Sequence, residues 1–515
     1  MQIPFRTTIL AKRALAAPVY LAAPLILLAF SLIAAYYFLL DSISGLVLAS
    51  SPYAFVPSII TTLFASLLVA NLFYNLFNSL RPLQTDSFFF LLLTGLLFFI
   101  HPRSFTYDTG LYHAPFVQHL SSIGLEWNLG WLHSRYAYFN IFLYGQALVS
   151  KSFHGTHLLP SFNSLMLTST LTYFYSLLKR SPGNLLPPLL FISGMLIIPS
   201  ESSESFHSYN SDFSLGLLIF SLSIFLLYDS YLSLNLYLLA ALFLFLPLIK
   251  LSGLTQSIIL IPLLFHTLSS FRIQLIRILP FLLFLLALYL LPLLASSYIM
   301  TGYLVFPLHS TGPLRPDAIP SSNVVQEVKN STIAWARFAY SNQIHKLTGD
   351  APLGSWFPGW SFSLNGRRMI SFSLLSYLSL IPKKRITQNP ILNSRELLVT
   401  LPLALYWLFA IFVFPPDPRF YLGPILLSIF FFLKSFNFSF PLPSLSYQAF
   451  AVCIFSFAIF TSIWRTSDFS GLAHPAVQTT HADSSKFLPY VPHARKTINT
   501  PTNSDVCWTA PSPCR

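Results

Sequence analysis

Apolar runs of about 15–25 residues alternate with short polar interruptions along almost the whole chain, the length a helix needs to cross a bilayer. Taken in order, the runs predict thirteen membrane-spanning helices, at about 17–40, 53–79, 87–101, 157–178, 184–199, 213–228 and 231–249, then 253–268, 278–298, 369–382, 396–414, 420–433 and 443–464. The apolar piece 139–149 is too short to cross comfortably and reads as a juxtamembrane or re-entrant segment. Two polar stretches break the pattern, 102–140 and 301–368. The expected fold is an all-α membrane protein in five parts. N-terminal helices occupy 1–86, a core with its first outer loop (102–140) fills 87–300, and a second outer loop spans 301–368. C-terminal helices take up 369–465, and a polar tail runs over 466–515.

Composition supports lipid as the solvent. The chain is 54% hydrophobic and 9% charged, where a soluble protein carries about 25% charged residues. The formal net charge of +13 does not form a basic stripe of the kind that binds nucleic acid. It sits in clusters between apolar runs: Arg6/Lys12/Arg13, Arg81, Lys179/Arg180, Arg272/Arg277, Lys383/Lys384/Arg385 and Lys434. The thirteen-helix scheme puts all of these on one face, which the positive-inside rule makes cytoplasmic. The N-terminus is then inside and the C-terminal tail outside. The run 17–40 is too long for a signal-peptide core. No P-loop or dinucleotide fingerprint interrupts the chain, and no internal repeat of the kind found in many secondary transporters is visible. Of the three cysteines, Cys453 lies in an apolar run, while Cys507 and Cys514 share the tail and can bridge there in an oxidising compartment.

Ionisable groups are scarce, so where they gather is informative. The stretch Tyr107–Asn140 holds Asp108, His113, His119, Glu126, His133 and Arg135. Asp108 precedes an expected helix over Thr109–Ile123. It suits a helix N-cap, and it equally suits a membrane-surface base that takes a proton from an acceptor hydroxyl. Tyr112, Pro115 and His119 share one face of that helix, beside His113. The histidine spacing matches no zinc motif. Trp127, Trp131 and Tyr136 read as interfacial anchors or as sugar-stacking platforms, and His133 and Arg135 as phosphate contacts or as a solvated loop. A second group comprises Glu201, Glu204, His207, Asn210 and Asp212. Asp212 is a helix cap, or it meets Asp108 across the outer face, directly or through a divalent cation held by carboxylates. That cation is the one cofactor candidate. Lys250 and Arg419 interrupt apolar sequence at the expected outer boundary, as snorkelling anchors or as phosphate ligands. Asp417 is placed to orient Arg419.

These residues carry a resemblance. The pieces YDTGLYH (Tyr107–His113) and GLEWNLGWLHSRYAYFN (Gly124–Asn140) are similar to the first outer loop of a family of bacterial multi-pass membrane proteins. So are IKLSG (Ile249–Gly253), TGYLVFP (Thr301–Pro307), PDPRFYLG (Pro416–Gly423) and CWTAPSPC (Cys507–Cys514), in the same order. That family in turn resembles the GT-C glycosyltransferases, which take a sugar from a polyprenyl-phosphate-linked donor. The resemblance implies a bacterial inner membrane, a lipid-linked donor and a glycan or lipid acceptor at the cell envelope. It makes Asp108 the catalytic base. Lys250 and Arg419 become contacts to the donor phosphate, with Tyr112, His113, His133, Arg135, Glu204 and Asp212 around the substrate. The chain departs from the GT-C pattern in placing two extra helices before the catalytic loop. The alternatives are a transporter or flippase for a lipid-linked polysaccharide, or a non-catalytic assembly subunit.

Overall fold

The computed structural model describes residues 29–42, 112–131, 134–152, 162–180, 188–189, 191–192, 209–228, 242–269, 272–307, 314, 321–338, 351–381, 394–435, 479–483 and 497–501. These residues are almost wholly helical. The helices are α1 (Ala29–Ser42), α2 (Ala114–Ser122), α3 (Ile141–Ser152), α4 (Phe162–Arg180), α5 (Ser211–Tyr228), α6 (242–249) and α7 (Ser252–Gln256). They continue with α8 (Ile261–Ser269), α9 (Arg272–Thr301), α10 (Ser321–Phe338), α11 (Leu353–Phe362), α12 (Leu364–Leu380), α13 (Ser394–Phe412) and α14 (Leu422–Ser435). An antiparallel ribbon of β1 (Thr479–Asp483) and β2 (Thr497–Pro501) lies in the tail.

Helix α5 is the axis. Seventeen of its eighteen residues are buried, as a helix that is apolar all round must be. It is enclosed by α4, α8, α13 and α14. Gly216 and Gly423 let α5 and α14 meet closely, since a Cβ on Gly216 would lie 2.6 Å from the Leu422 Cβ. Small residues at such crossings are how helices pack when lipid offers no hydrophobic drive between them. Phe220 adds edge-on ring contacts to Phe174 and Phe430. On its other side α14 receives α12 through buried Ser373, Ser376 and Ser379. The Ser376 and Ser428 hydroxyls lie 2.7 Å apart, and Trp407 Nε1 donates to Ser428 Oγ at 3.0 Å.

The outer surface of the bundle is apolar. Helix α13 exposes Leu397, Leu401, Leu405, Leu408, Phe409 and Phe412 along one face and buries Val399, Leu403, Tyr406, Trp407 and Ala410 on the other. Helix α9 likewise exposes Leu279, Leu283, Phe284, Leu290 and Leu291. Faces this large are unfavourable in water and natural in hydrocarbon. Among the described residues three helical stretches are long and apolar enough to cross a membrane: Ser211–Tyr228, Leu282–Thr301 and Ser394–Phe412. The expected helices at 53–79, 87–101 and 443–464 lie outside the described residues.

Two sequence expectations change. The stretch 253–268 is not one helix: α7 gives way to a short 3-10 turn, Ser257–Ile259, and then to α8. Pro262 accounts for part of the break, because it has no N–H for the Ile258 carbonyl. The piece 139–149 becomes part of α3, whose residues Ile141–Ala147 are buried against α1 and α2, so it belongs to the core. Gly145 makes this possible, since a Cβ there would lie 2.5 Å from Ser31 Oγ and 2.6 Å from the Phe162 ring. Helix α1 also repairs a defect in α9. Pro292 leaves the Leu288 carbonyl without its helical donor, and the Tyr36 hydroxyl donates to it at 2.6 Å.

At one end of the bundle, Glu396 (α13), Lys434 (α14) and Tyr228 (α5) form a buried cluster. Lys434 Nζ pairs with Glu396 Oε1 and donates to the Tyr228 hydroxyl at 2.8 Å, and that hydroxyl donates to Glu396 Oε1 at 2.7 Å. Removing one partner strands a buried charge. Lys434→Met should therefore destabilise the protein by about 3–5 kcal/mol. Glu396→Gln/Lys434→Met should recover most of that loss when unfolding is followed in mixed detergent–SDS micelles. A double variant no more stable than the single one would contradict the ion-pair account.

Candidate functional site

The opposite end of α5 carries the larger polar assembly, built from segments far apart in sequence. The α5 start is capped by Asn210, whose Oδ1 accepts from the Asp212 backbone N–H at 3.0 Å. Asn163 of α4 holds the same turn by donating to the Asn210 carbonyl at 2.8 Å, and its own side-chain oxygen accepts from the Ser214 hydroxyl. The Asp212 carboxylate is thereby released from capping. Both its oxygens accept from Lys250 Nζ, at 2.7 and 2.6 Å. Reading Asp212 as a helix cap is corrected here: Asn210, two residues earlier, supplies the acceptor.

Lys250 follows α6, and the chain turns sharply after it. Gly253 N–H donates to the Lys250 carbonyl at 2.8 Å. A Cβ on Gly253 would lie 2.2 Å from the Leu246 carbonyl oxygen, so only glycine fits this turn without movement. The ammonium group then stands 4.6 Å above the Phe420 ring. The Arg419 guanidinium is 5.7 Å from the same ring. Arg419 has its own carboxylate: Asp417 Oδ2 accepts from Nε at 3.0 Å and lies 2.9 Å from Nη2, while Oδ1 accepts from the Arg419 backbone N–H at 3.0 Å. The expectation that Asp417 orients Arg419 is met.

A common design links the two pairs. Each anion is sealed and each cation reaches outward: the Asp212 and Asp417 side chains are 5% and 7% exposed, those of Lys250 and Arg419 34% and 57%. The surface consequently presents two cations beside one aromatic ring, with their compensating carboxylates buried. Such a patch is suited to an anion, Arg offering a fork and Lys a point charge. Both carboxylates are engaged by protein cations, so the described acids here are not arranged around a divalent ion. Among the described residues no group of three or more His, Cys, Asp or Glu side chains is placed to hold a metal.

The segment Pro415–Tyr421 is strapped down by donors that the sequence did not reveal. Gln256 Nε2 donates to the Phe420 carbonyl at 2.6 Å, and Trp360 Nε1 to the Pro416 carbonyl at 3.1 Å. The Tyr421 hydroxyl donates to the Pro415 carbonyl at 2.9 Å. The one available signal was polarity inside an apolar run, at Gln256.

The segment 112–140, described except for 132–133, forms a separate region against α9 and α10. Pro115 stands in the first turn of α2, where its missing N–H has no helical partner anyway. Tyr112 and His113 lie just before α2, with their rings 4.3 Å apart. His119, buried, is 3.1 Å from the Glu126 carboxylate. Asn128, at φ 60°, donates its N–H to the Ile299 carbonyl at 2.9 Å. Arg135 Nη1 donates to Thr332 of α10 at 3.0 Å, and its guanidinium is 5.7 Å from the Tyr138 ring. Tyr136 is buried at 5.5 Å from the Phe116 ring, which makes it a core residue, neither anchor nor platform. Asp108, His133 and Glu204 lie outside the described residues. Of the nominated site residues, Asp212, Lys250 and Arg419 are brought together.

A family model described as a domain of unknown function (DUF8201) matches residues 6–426, and the chain belongs to that family. The match takes in every nominated site residue and leaves out most of α14 and the tail. No curated protein and no solved structure matches the chain.

Gly253→Ala should destabilise the fold by about 1–3 kcal/mol through overpacking against Leu246. Gly354→Ala, where a Cβ would meet nothing within 4 Å, should be neutral. Thermal unfolding of the purified proteins in detergent checks both; equal midpoints for the two variants would contradict the described turn.

Proposed function

We propose that this protein is a GT-C-type glycosyltransferase of the bacterial inner membrane. It moves a sugar from a polyprenyl-phosphate-linked donor to a cell-envelope glycan or lipid. In this reading the chain crosses the membrane thirteen times, with the N-terminus cytoplasmic and the tail periplasmic. The Asp212–Lys250 and Asp417–Arg419 end of the bundle faces outward, and the Glu396–Lys434 end faces the cytoplasm.

One arrangement carries the reading. Lys250 and Arg419, from motifs some 170 residues apart, share the Phe420 ring at the end of an apolar helical bundle. A lipid-borne phosphate fits such a place, because its headgroup can meet the cations while its chain stays in hydrocarbon. The reaction is then a direct displacement. The acceptor oxygen bonds to the anomeric carbon, and its proton passes to the Asp108 carboxylate. The bond from that carbon to the phosphate oxygen breaks, and the lipid phosphate leaves as an anion stabilised by Lys250 and Arg419. Tyr112, His113, His133, Arg135 and Glu204 are proposed to line the sugar and acceptor side. Asp212 acts by holding Lys250.

One observation bears on a flippase for the same lipid-linked substrate: an ion pair stands at each end of α5, Asp212–Lys250 at one and Glu396–Lys434, between α13 and α14, at the other. Against it, α5 is buried in apolar packing between the two.

The test is a comparison of envelope glycans by mass spectrometry in wild type, deletion and Asp108→Asn strains with verified membrane levels. Loss of a general base should slow transfer by about 10²–10⁴-fold, so both mutants should lack the same single sugar. A full glycan in the Asp108→Asn strain would sink the assignment of the base. Loss of whole glycan chains in the deletion, with a normal point mutant, would favour the flippase.

A further inference from the structure

Helices α11 and α12 meet in a tight elbow at the same end of the bundle as Arg419. Ser363, extended between them, accepts the Gly366 N–H on its hydroxyl at 3.0 Å. A Cβ on Gly366 would lie 1.9 Å from the Trp360 carbonyl oxygen, so the two helices touch backbone to backbone. The elbow sorts its aromatics. Trp356 and Trp360 turn inward and are fully buried, whereas Phe362 at the corner is 81% exposed. From there Leu364, Arg367, Ile370 and Leu374 are exposed at spacings of three and four, which places them on one face of α12.

Arg367 is the anomaly. It is a cation set into an apolar, outward-facing stripe, one turn from the start of the helix, with Phe362 and Leu364 above it and Ile370 and Leu374 below. Among the described residues it makes no ion pair. Arg368 adjoins it, and the whole segment 351–381 contains these two arginines and no acid. A cation on a lipid-facing surface needs an anion at the headgroup level, and a guanidinium takes a phosphate bidentately.

We infer that the α11–α12 elbow is a binding site for an anionic phospholipid of the surrounding bilayer. Arg367 holds the headgroup phosphate, the acyl chains lie along Ile370 and Leu374, and Phe362 and Leu364 flank the headgroup at the interface. The inference rests on the placement of the bundle in a membrane and is independent of sugar transfer. Because Trp360 also donates to the Pro416 carbonyl, an occupied elbow braces the segment that carries Arg419.

The experiment is thermal unfolding of the full-length protein in nanodiscs of phosphatidylcholine alone or with phosphatidylglycerol. Wild type should gain several degrees from phosphatidylglycerol. Arg367→Gln should lose most of that gain, Arg367→Lys should keep part of it, and Arg395→Gln, exposed at the other end of the bundle, should keep all of it. Equal gains in wild type and Arg367→Gln would overturn the site, as would equal losses in Arg367→Gln and Arg395→Gln. An Arg367-dependent gain produced by polyprenyl phosphate but not by phosphatidylglycerol would overturn the choice of occupant. Failure of the protein to resist carbonate extraction from membranes would instead remove the bilayer premise shared with the proposed function.

Discussion

The carboxylate of Asp212 is sealed at the end of a helix with almost no exposed surface, and Lys250 compensates it through both oxygens. An uncompensated charge in that position would cost several kcal/mol, so the lysine must come to the helix end. Much of the neighbouring architecture follows from this. The chain has to turn at once after Lys250, which puts Gly253 against the Leu246 carbonyl at the start of α7. Phe420 has to underlie the ammonium, and Gln256, on the far side of the same turn, fixes the Phe420 carbonyl. The ion pair and the close turn at Gly253 are two views of one constraint.

The second constraint is the direction of the helices. Helix α14 runs from the Arg419 end to Lys434, α5 runs from Asp212 to Tyr228, and α13 returns from Glu396 towards Asp417. Polar clusters therefore close both ends of a three-helix unit whose middle is phenylalanine, leucine and hydroxyl-bearing small residues. At the Glu396 end the cluster is buried and acts as a clamp. At the Asp212 end the anions are buried and the cations emerge. This difference in exposure, more than the presence of charge, separates a structural pair from a surface able to meet a ligand.

Part of this was legible in the chain. Lys250 and Arg419 announced themselves by interrupting apolar sequence, and Asp417 declared its link to Arg419 by standing two residues away. The core helices α5, α9, α13 and α14 matched their apolar runs to within a few residues, apart from an earlier start for α9. What sequence could not give was distance: Asp212 and Lys250 are 38 residues apart, and nothing local says that they meet. Asp212 looked like a cap because acids suit helix starts, yet Asn210 accepts the same N–H without bringing a second buried charge. The break in 253–268 was signalled in sequence by Pro262 alone, next to the 3-10 turn Ser257–Ile259. Nothing in the sequence marks Trp360, because its role lies in one N–H aimed at a carbonyl 56 residues away.

The central claim is that the two outward cations around Phe420 recognise a phosphate carried on a lipid. The most direct measurement is the binding of a short-chain isoprenyl phosphate, and of the matching isoprenol, to the purified protein and to its Arg419→Gln variant. The account predicts saturable binding of the phosphate, at least tenfold weaker in the variant, and little difference between the two proteins towards the alcohol. Phosphate and alcohol binding equally well, or the phosphate binding unchanged without Arg419, would contradict it.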